Sequence, residues 1–63
     1  MKIVTVDNAI QAIQKRFRGL AEIIHVDGEG IIDILCKDLY SGKYFEVWSN
    51  AERTKLSINQ VNI

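Results

Sequence analysis

The chain has 63 residues, 48% of them hydrophobic and 25% charged, with eight basic residues set against eight acidic ones. That length holds one domain, and its apolar fraction excludes a disordered tail. The charge balance excludes the strong positive field of a general nucleic-acid or anionic-membrane binder, and the single cysteine, Cys36, excludes an internal disulfide framework.

Residues 2–6 alternate weakly and are β-branched, which predicts a short strand. Asp7 and Asn8 are candidate helix N-caps, and Asn8 with Gln11 resembles a capping box. Ala9, Ile10, Ile13, Phe17 and Leu20 then recur at helical spacing, with Gln11, Lys15 and Arg18 opposite them. Gly19 is the expected C-cap, and Lys15, Arg16 and Arg18 suit the negative end of the helix dipole.

Three strand-like runs follow: Ala21–Val26, Ile31–Lys37 and Lys43–Trp48. Asp27-Gly28-Glu29-Gly30 signals a tight hairpin, and Asp38-Leu39-Tyr40-Ser41-Gly42 a slightly longer turn. Ser49-Asn50-Ala51-Glu52 reads as a capping box, predicting a short second helix or helical turn near residues 50–55. Leu56-Ser57-Ile58-Asn59 alternates as a last edge strand would.

Parity then divides the side chains between two faces. A tight first turn sets Val26 opposite Ile31, Ile24 opposite Asp33 and Ile23 opposite Ile34. The second turn, joining Lys37 to Tyr44, sets Cys36 opposite Phe45 and Ile34 opposite Val47. Both hairpins then place Ala21, Ile23, Ile32, Ile34, Cys36, Phe45 and Val47 on one face, with His25 at its end. The expected fold is α+β: a small antiparallel sheet of three to five strands with one amphipathic helix packed on that face, one compact domain over residues 1–63.

The other face is expected to carry Glu22, Ile24, Val26, Ile31, Asp33, Leu35, Lys37, Tyr44, Glu46 and Trp48. That is more apolar than a solvated sheet face. Either the terminal segments fold over it or something outside the chain covers it.

No constellation points to chemistry. His25 and Cys36 are the lone histidine and cysteine, so a metal site would need two further carboxylates. Cys36 on a core face is expected to be inert. Glu22, Asp33 and Glu46 share the outer face by parity, but a domain this small has little room for a water-excluding cleft. Gly28-Glu29-Gly30 is too short for a phosphate-binding loop and has no helix after it. No enzyme activity, metal or cofactor is expected.

The function expected is protein binding, or self-association, through the outer sheet face. Ile24, Ile31, Leu35, Tyr44 and Trp48 would supply contact area, and Asp33 and Glu46 polarity. A stoichiometric inhibitor of the kind phages and plasmids encode, an adaptor or a regulatory subunit would all fit. The alternative is nucleic-acid binding by Lys15, Arg16 and Arg18, with Lys2, Lys37 or Lys43 as further cations. No apolar run approaches the ~20 residues of a membrane helix and the N-terminus lacks a signal-peptide core, so the expected location is the cytoplasm with no membrane partner.

Overall fold

Thr5 starts the first element. Its backbone is extended, and its Oγ1 accepts a hydrogen bond from the Asn8 backbone N–H at 3.1 Å. Helix α1 then runs Val6–Arg16 in the computed structural model, which describes residues 3–62. The cap thus falls ahead of Asp7 and Asn8, because the Thr5 hydroxyl already satisfies the third orphan N–H. Asp7 sits instead in the first turn, where its charge meets the positive end of the dipole. The strand expected at residues 2–6 does not form: residues 3–5 have no regular structure, Val6 is helical, and Lys2 lies outside the described residues.

The helix ends at Phe17, earlier than its apolar stripe suggests. The Arg18 N–H donates to the Lys15 carbonyl and the Gly19 N–H to the Gln14 carbonyl, the paired bonds of a Schellman motif. Arg18 (φ 57°) and Gly19 (φ 79°) are both left-handed, so the turn is made one residue before the glycine. Leu20 consequently leaves the helix and is 46% exposed.

Four antiparallel strands follow: β1 Ala21–Asp27, β2 Asp33–Asp38, β3 Tyr44–Ser49 and β4 Leu56–Val61. They lie side by side in chain order. The second hairpin has the expected register, with Lys37 opposite Tyr44, Cys36 opposite Phe45 and Ile34 opposite Val47. The first does not. Ile23 pairs with Cys36, His25 with Leu35, Val26 with Ile34 and Asp27 with Asp33, with a β-bulge between Ile23 and His25. Two causes combine. The connection is not a tight turn but the loop 28–32, because Ile32 is drawn fully into the core and its N–H bonds the Ser49 Oγ at 2.8 Å. The bulge then reverses parity beyond Ile24, moving His25 to the outer face and Val26 to the inner one.

Residues 50–55 form a hydrogen-bonded turn and no helix. Its organiser is Asn50, whose Oδ1 accepts from the N–H groups of Thr54 and Lys55 at 2.8 and 3.1 Å. Ser49 is unavailable as a cap, being buried in β3. Arg53 ties this turn to the rest of that sheet end. Its guanidinium donates to the Gly28 and Gly30 carbonyls, and its own carbonyl accepts from the Val4 N–H. Glycine at 28 allows close approach here, since a Cβ would stand 2.7 Å from Val6 Cγ2 and force that side chain to shift.

Helix α1 covers the inner face. Ala9 and Ile13 meet Ala21, Ile32, Ile34, Cys36 and Val47 in one core, and the Phe17 and Phe45 rings pack with centroids 5.1 Å apart. The face assignment of the strands therefore holds except beyond the bulge, where exposed His25 lies on the outer face and Val26 on the inner one.

Ser49 offers a test of the loop that sets the first register. Its Oγ accepts from the Ile32 N–H and donates to the Asn50 carbonyl. Ser49→Ala leaves a buried N–H without a partner, so a loss of about 1–3 kcal/mol is expected in urea melts. A change near zero would show that the Ile32 N–H has another acceptor.

Candidate functional site

Strands β2 and β3 form the centre of the outer face. Their register sets Asp33 beside Trp48, Leu35 beside Glu46 and Lys37 beside Tyr44, and all six side chains are half-buried. On the β1 side, Asp27, His25 and Glu22 stand opposite Asp33, Leu35 and Lys37. On the β4 side, Ser57, Asn59 and Val61 stand opposite Trp48, Glu46 and Tyr44.

Among the described residues nothing crosses this face. Of residues 56–63, one candidate cover, Leu56–Val61 extend the sheet as β4 instead, and Ile63 lies outside the described residues. The N-terminal segment, the other candidate, is held at the sheet end by the bond from Val4 to Arg53. These side chains are half-buried although no described helix or strand lies over them.

Five of the seven residues expected at the face are brought together: Asp33, Leu35, Tyr44, Glu46 and Trp48. Ile31 is not on a strand but in the loop before β2, where it is 46% exposed and borders a shallow hollow with Trp48, Lys55 and Ser57. Ile24 departs further. It is the extra residue of the bulge, without a partner on β2; Asp27 takes its expected place opposite Asp33, and His25 stands opposite Leu35. Parity assumes one residue per ladder position, so parity alone could not find an inserted residue at Ile24.

The face is electrically lopsided. Asp27 and Asp33 are directly opposite each other, and Asp33 neighbours Glu46 diagonally, so the carboxylates gather near Trp48. Glu22 shares the outer face as expected, but stands at its other end, opposite Lys37. Lys37 Nζ sits 5.5 Å from the Tyr44 ring centroid, within cation–π range at the other end. Loss of hydration raises the Glu46 pKa, and the Asp33 carboxyl raises it further through a hydrogen bond and through its charge; the Trp48 indole partly offsets this by donating to Glu46.

The sign of the pH effect follows. A folded-state pKa above the unfolded one means the native state holds the proton more tightly. Glu46 therefore costs stability as pH rises from the usual glutamate range through its raised value. Glu46→Gln is expected to match or exceed the parent in stability at neutral pH and to lose that advantage in acid, as urea melts at both pH values would show. Asp38 acts oppositely: hydrogen bonds from the Ser41 hydroxyl and the Tyr40 N–H lower its pKa, giving stability that is lost in acid. Asp38 is common to both proteins, so comparing the Glu46 variant with the parent cancels it.

Lys15, Arg16 and Arg18 are exposed at the end of α1, with the Arg16 guanidinium 6.0 Å from the Phe17 ring centroid. The sequence reading missed Tyr40 beside them. It is 87% exposed and shares an open hollow with Arg16, Arg18 and Leu20. Its place in the middle of the Asp38–Gly42 turn was the available signal. Of the further cations, Lys37 belongs to the outer face and Lys43 is exposed in the turn before β3.

Cys36 is buried on the inner face and His25 exposed on the outer, so they do not converge. Burial pushes the Cys36 thiol pKa up and Asp38 adds to it, which keeps the sulfur protonated at neutral pH. Among the described residues no group of three or more His, Cys, Asp or Glu side chains could hold a metal ion, and no helix is long and apolar enough to cross a membrane.

No protein-family model matches the chain, and neither a curated protein nor a solved structure is significantly similar to it.

Proposed function

We propose that the chain is a non-enzymatic binding module that docks its outer sheet face on another protein, as a small inhibitor, adaptor or regulatory subunit. The observation that carries this reading is the uncovered cluster of Leu35, Tyr44 and Trp48 on the two central strands. Central strands are the most rigid part of a sheet, so these side chains lose little freedom on binding. Aromatic groups held this way are the usual anchors of an interface.

The charges narrow the partner. Asp27, Asp33 and Glu46 repel one another, and a Lys or Arg on the partner, set beside an apolar patch, would relieve that repulsion. A buried, protonated thiol suits a reducing cytoplasm.

Affinity capture with the whole chain as bait, run in parallel with Trp48→Ala, tests the reading. A protein retained by the parent and lost by the variant supports it. A retained protein indifferent to Trp48 counts against it.

One observation favours a second reading, nucleic-acid binding: Tyr40 stands exposed beside Arg16 and Arg18, a stacking surface next to phosphate-binding cations. Asp38 in the same hollow opposes it. Affinity for mixed single-stranded RNA and DNA that falls steeply with salt would favour this reading, and no binding at low salt would remove it.

A further inference from the structure

We propose that two copies of this chain join edge to edge through β4, forming a closed dimer with one continuous sheet. The two edges of the sheet are unlike. The β1 edge is interrupted by the bulge between Ile23 and His25 and carries exposed Glu22, His25 and Asp27. These are devices by which proteins blunt an edge against pairing. The β4 edge has none of them. Its pairing with β3 is regular from Leu56 to Val61, and residues 56–62 contain no charge, proline or glycine. An edge of this kind presents unpaired backbone groups to any matching strand.

The best-matched strand is its own copy. A two-fold axis normal to the sheet makes the pairing antiparallel and keeps inner side chains beside inner ones. With the axis at Ile58, that residue meets its own copy, Ser57 meets Asn59, and Leu56 meets Gln60. No charge lies in this stretch, so none meets its like across the axis.

The flank of the edge is apolar as well. Helix α1 packs closest to β1 and leaves a groove toward β4, lined by Ala12 and Ile13 of the helix and Val47, Leu56 and Ile58 of the sheet, with Arg16 its one charged residue. Ile58 is 37% exposed there, and its copy would cover part of it. Because the β1 edge is blunted, growth stops at two copies rather than continuing into a fibre. Paired strands of six residues make a small interface, so the dimer is concentration-dependent.

Sedimentation equilibrium of the whole chain from low to high micromolar concentration tests this. The expected result is a monomer–dimer equilibrium, abolished in Ser57→Lys/Asn59→Lys, whose added charges face one another across the axis, and unchanged in Glu22→Lys at the other edge. Trp48→Ala should still dimerise, which separates this interface from the outer face. A parent that stays monomeric throughout, or a dimer that survives the double substitution, overturns the proposal. Should the double variant fail to fold, Ser57→Cys, Ile58→Cys and Asn59→Cys are oxidised singly with copper–phenanthroline. A disulfide-linked dimer at one of these positions, with none in the parent because Cys36 is buried, supports the β4 contact; none at any position overturns it.

Discussion

Ile34→Ala is expected to lower folding stability by about 2–5 kcal/mol, the cost of deleting a large aliphatic side chain from a well-packed core. Ile34 is fully buried at the centre of β2, and its ladder partners are Val26 and Val47. The remaining core consists of Ala9, Ile13, Ala21, Ile32, Cys36 and Val47, several of them small. Few neighbours can move in to fill the vacated volume. A domain of about this length has only a few kcal/mol to lose, so most of the variant should be unfolded without denaturant. Far-UV circular dichroism and a urea melt measure it directly. Ile34→Val, which keeps the β-branch, should cost only about 0.5–1.5 kcal/mol and calibrates the result. A variant that melts with the parent would mean that the inner face is not the core.

Trp48→Ala should separate binding from folding. The indole is half-buried on the outer face, with Asp33 and Ser57 as its neighbours on the adjacent strands. Partial burial implies a folding cost of about 1–2 kcal/mol, below that of a core aromatic. As the central anchor of an interface it should contribute at least ~2 kcal/mol to binding, roughly a thirtyfold change in Kd. Trp48 is the only tryptophan, so its fluorescence reports on the face without a label. Its emission should move to the blue when the partner excludes water from the indole. An unchanged Kd in the variant, or an emission maximum indifferent to the partner, would remove Trp48 from the interface and the outer-face reading with it.

The site was legible in proportion to the regularity of the strands that carry it. Asp33, Leu35, Tyr44, Glu46 and Trp48 lie on the hairpin whose turn length was read correctly, and each is where parity places it. Ile24 and Ile31 lie on the other hairpin, where a bulge and a longer loop intervene. Tyr40 was overlooked because it belongs to no periodic run, though the turn around it was recognised. That the face is open could not be read at all. It depends on where residues 56–61 go, and their alternation suits a strand at the edge and a strand folded over the face equally.

The amino-acid sequence alone determined the helix, the strands that follow it, the inner face short of the bulge in β1 and the class of fold. These follow from hydrophobic periodicity, which is a local property written into neighbouring residues. Only the tertiary structure decided where α1 begins and ends, the register of β1 on β2, the turn at residues 50–55 and the freedom of the outer face. Each of those rests on a bond or a fit between residues apart in the chain or between competing local partners. Thr5 takes the Asn8 N–H before Asp7 can cap, and the Ser49 hydroxyl holds Ile32 in the core and lengthens the first loop. Arg53 gathers the Gly28 and Gly30 carbonyls and the Val4 N–H at one end of the sheet, which keeps the N-terminal segment off the face that Trp48 occupies. Such choices turn on small free-energy differences between alternatives that share the same local pattern, and only the assembled fold ranks them.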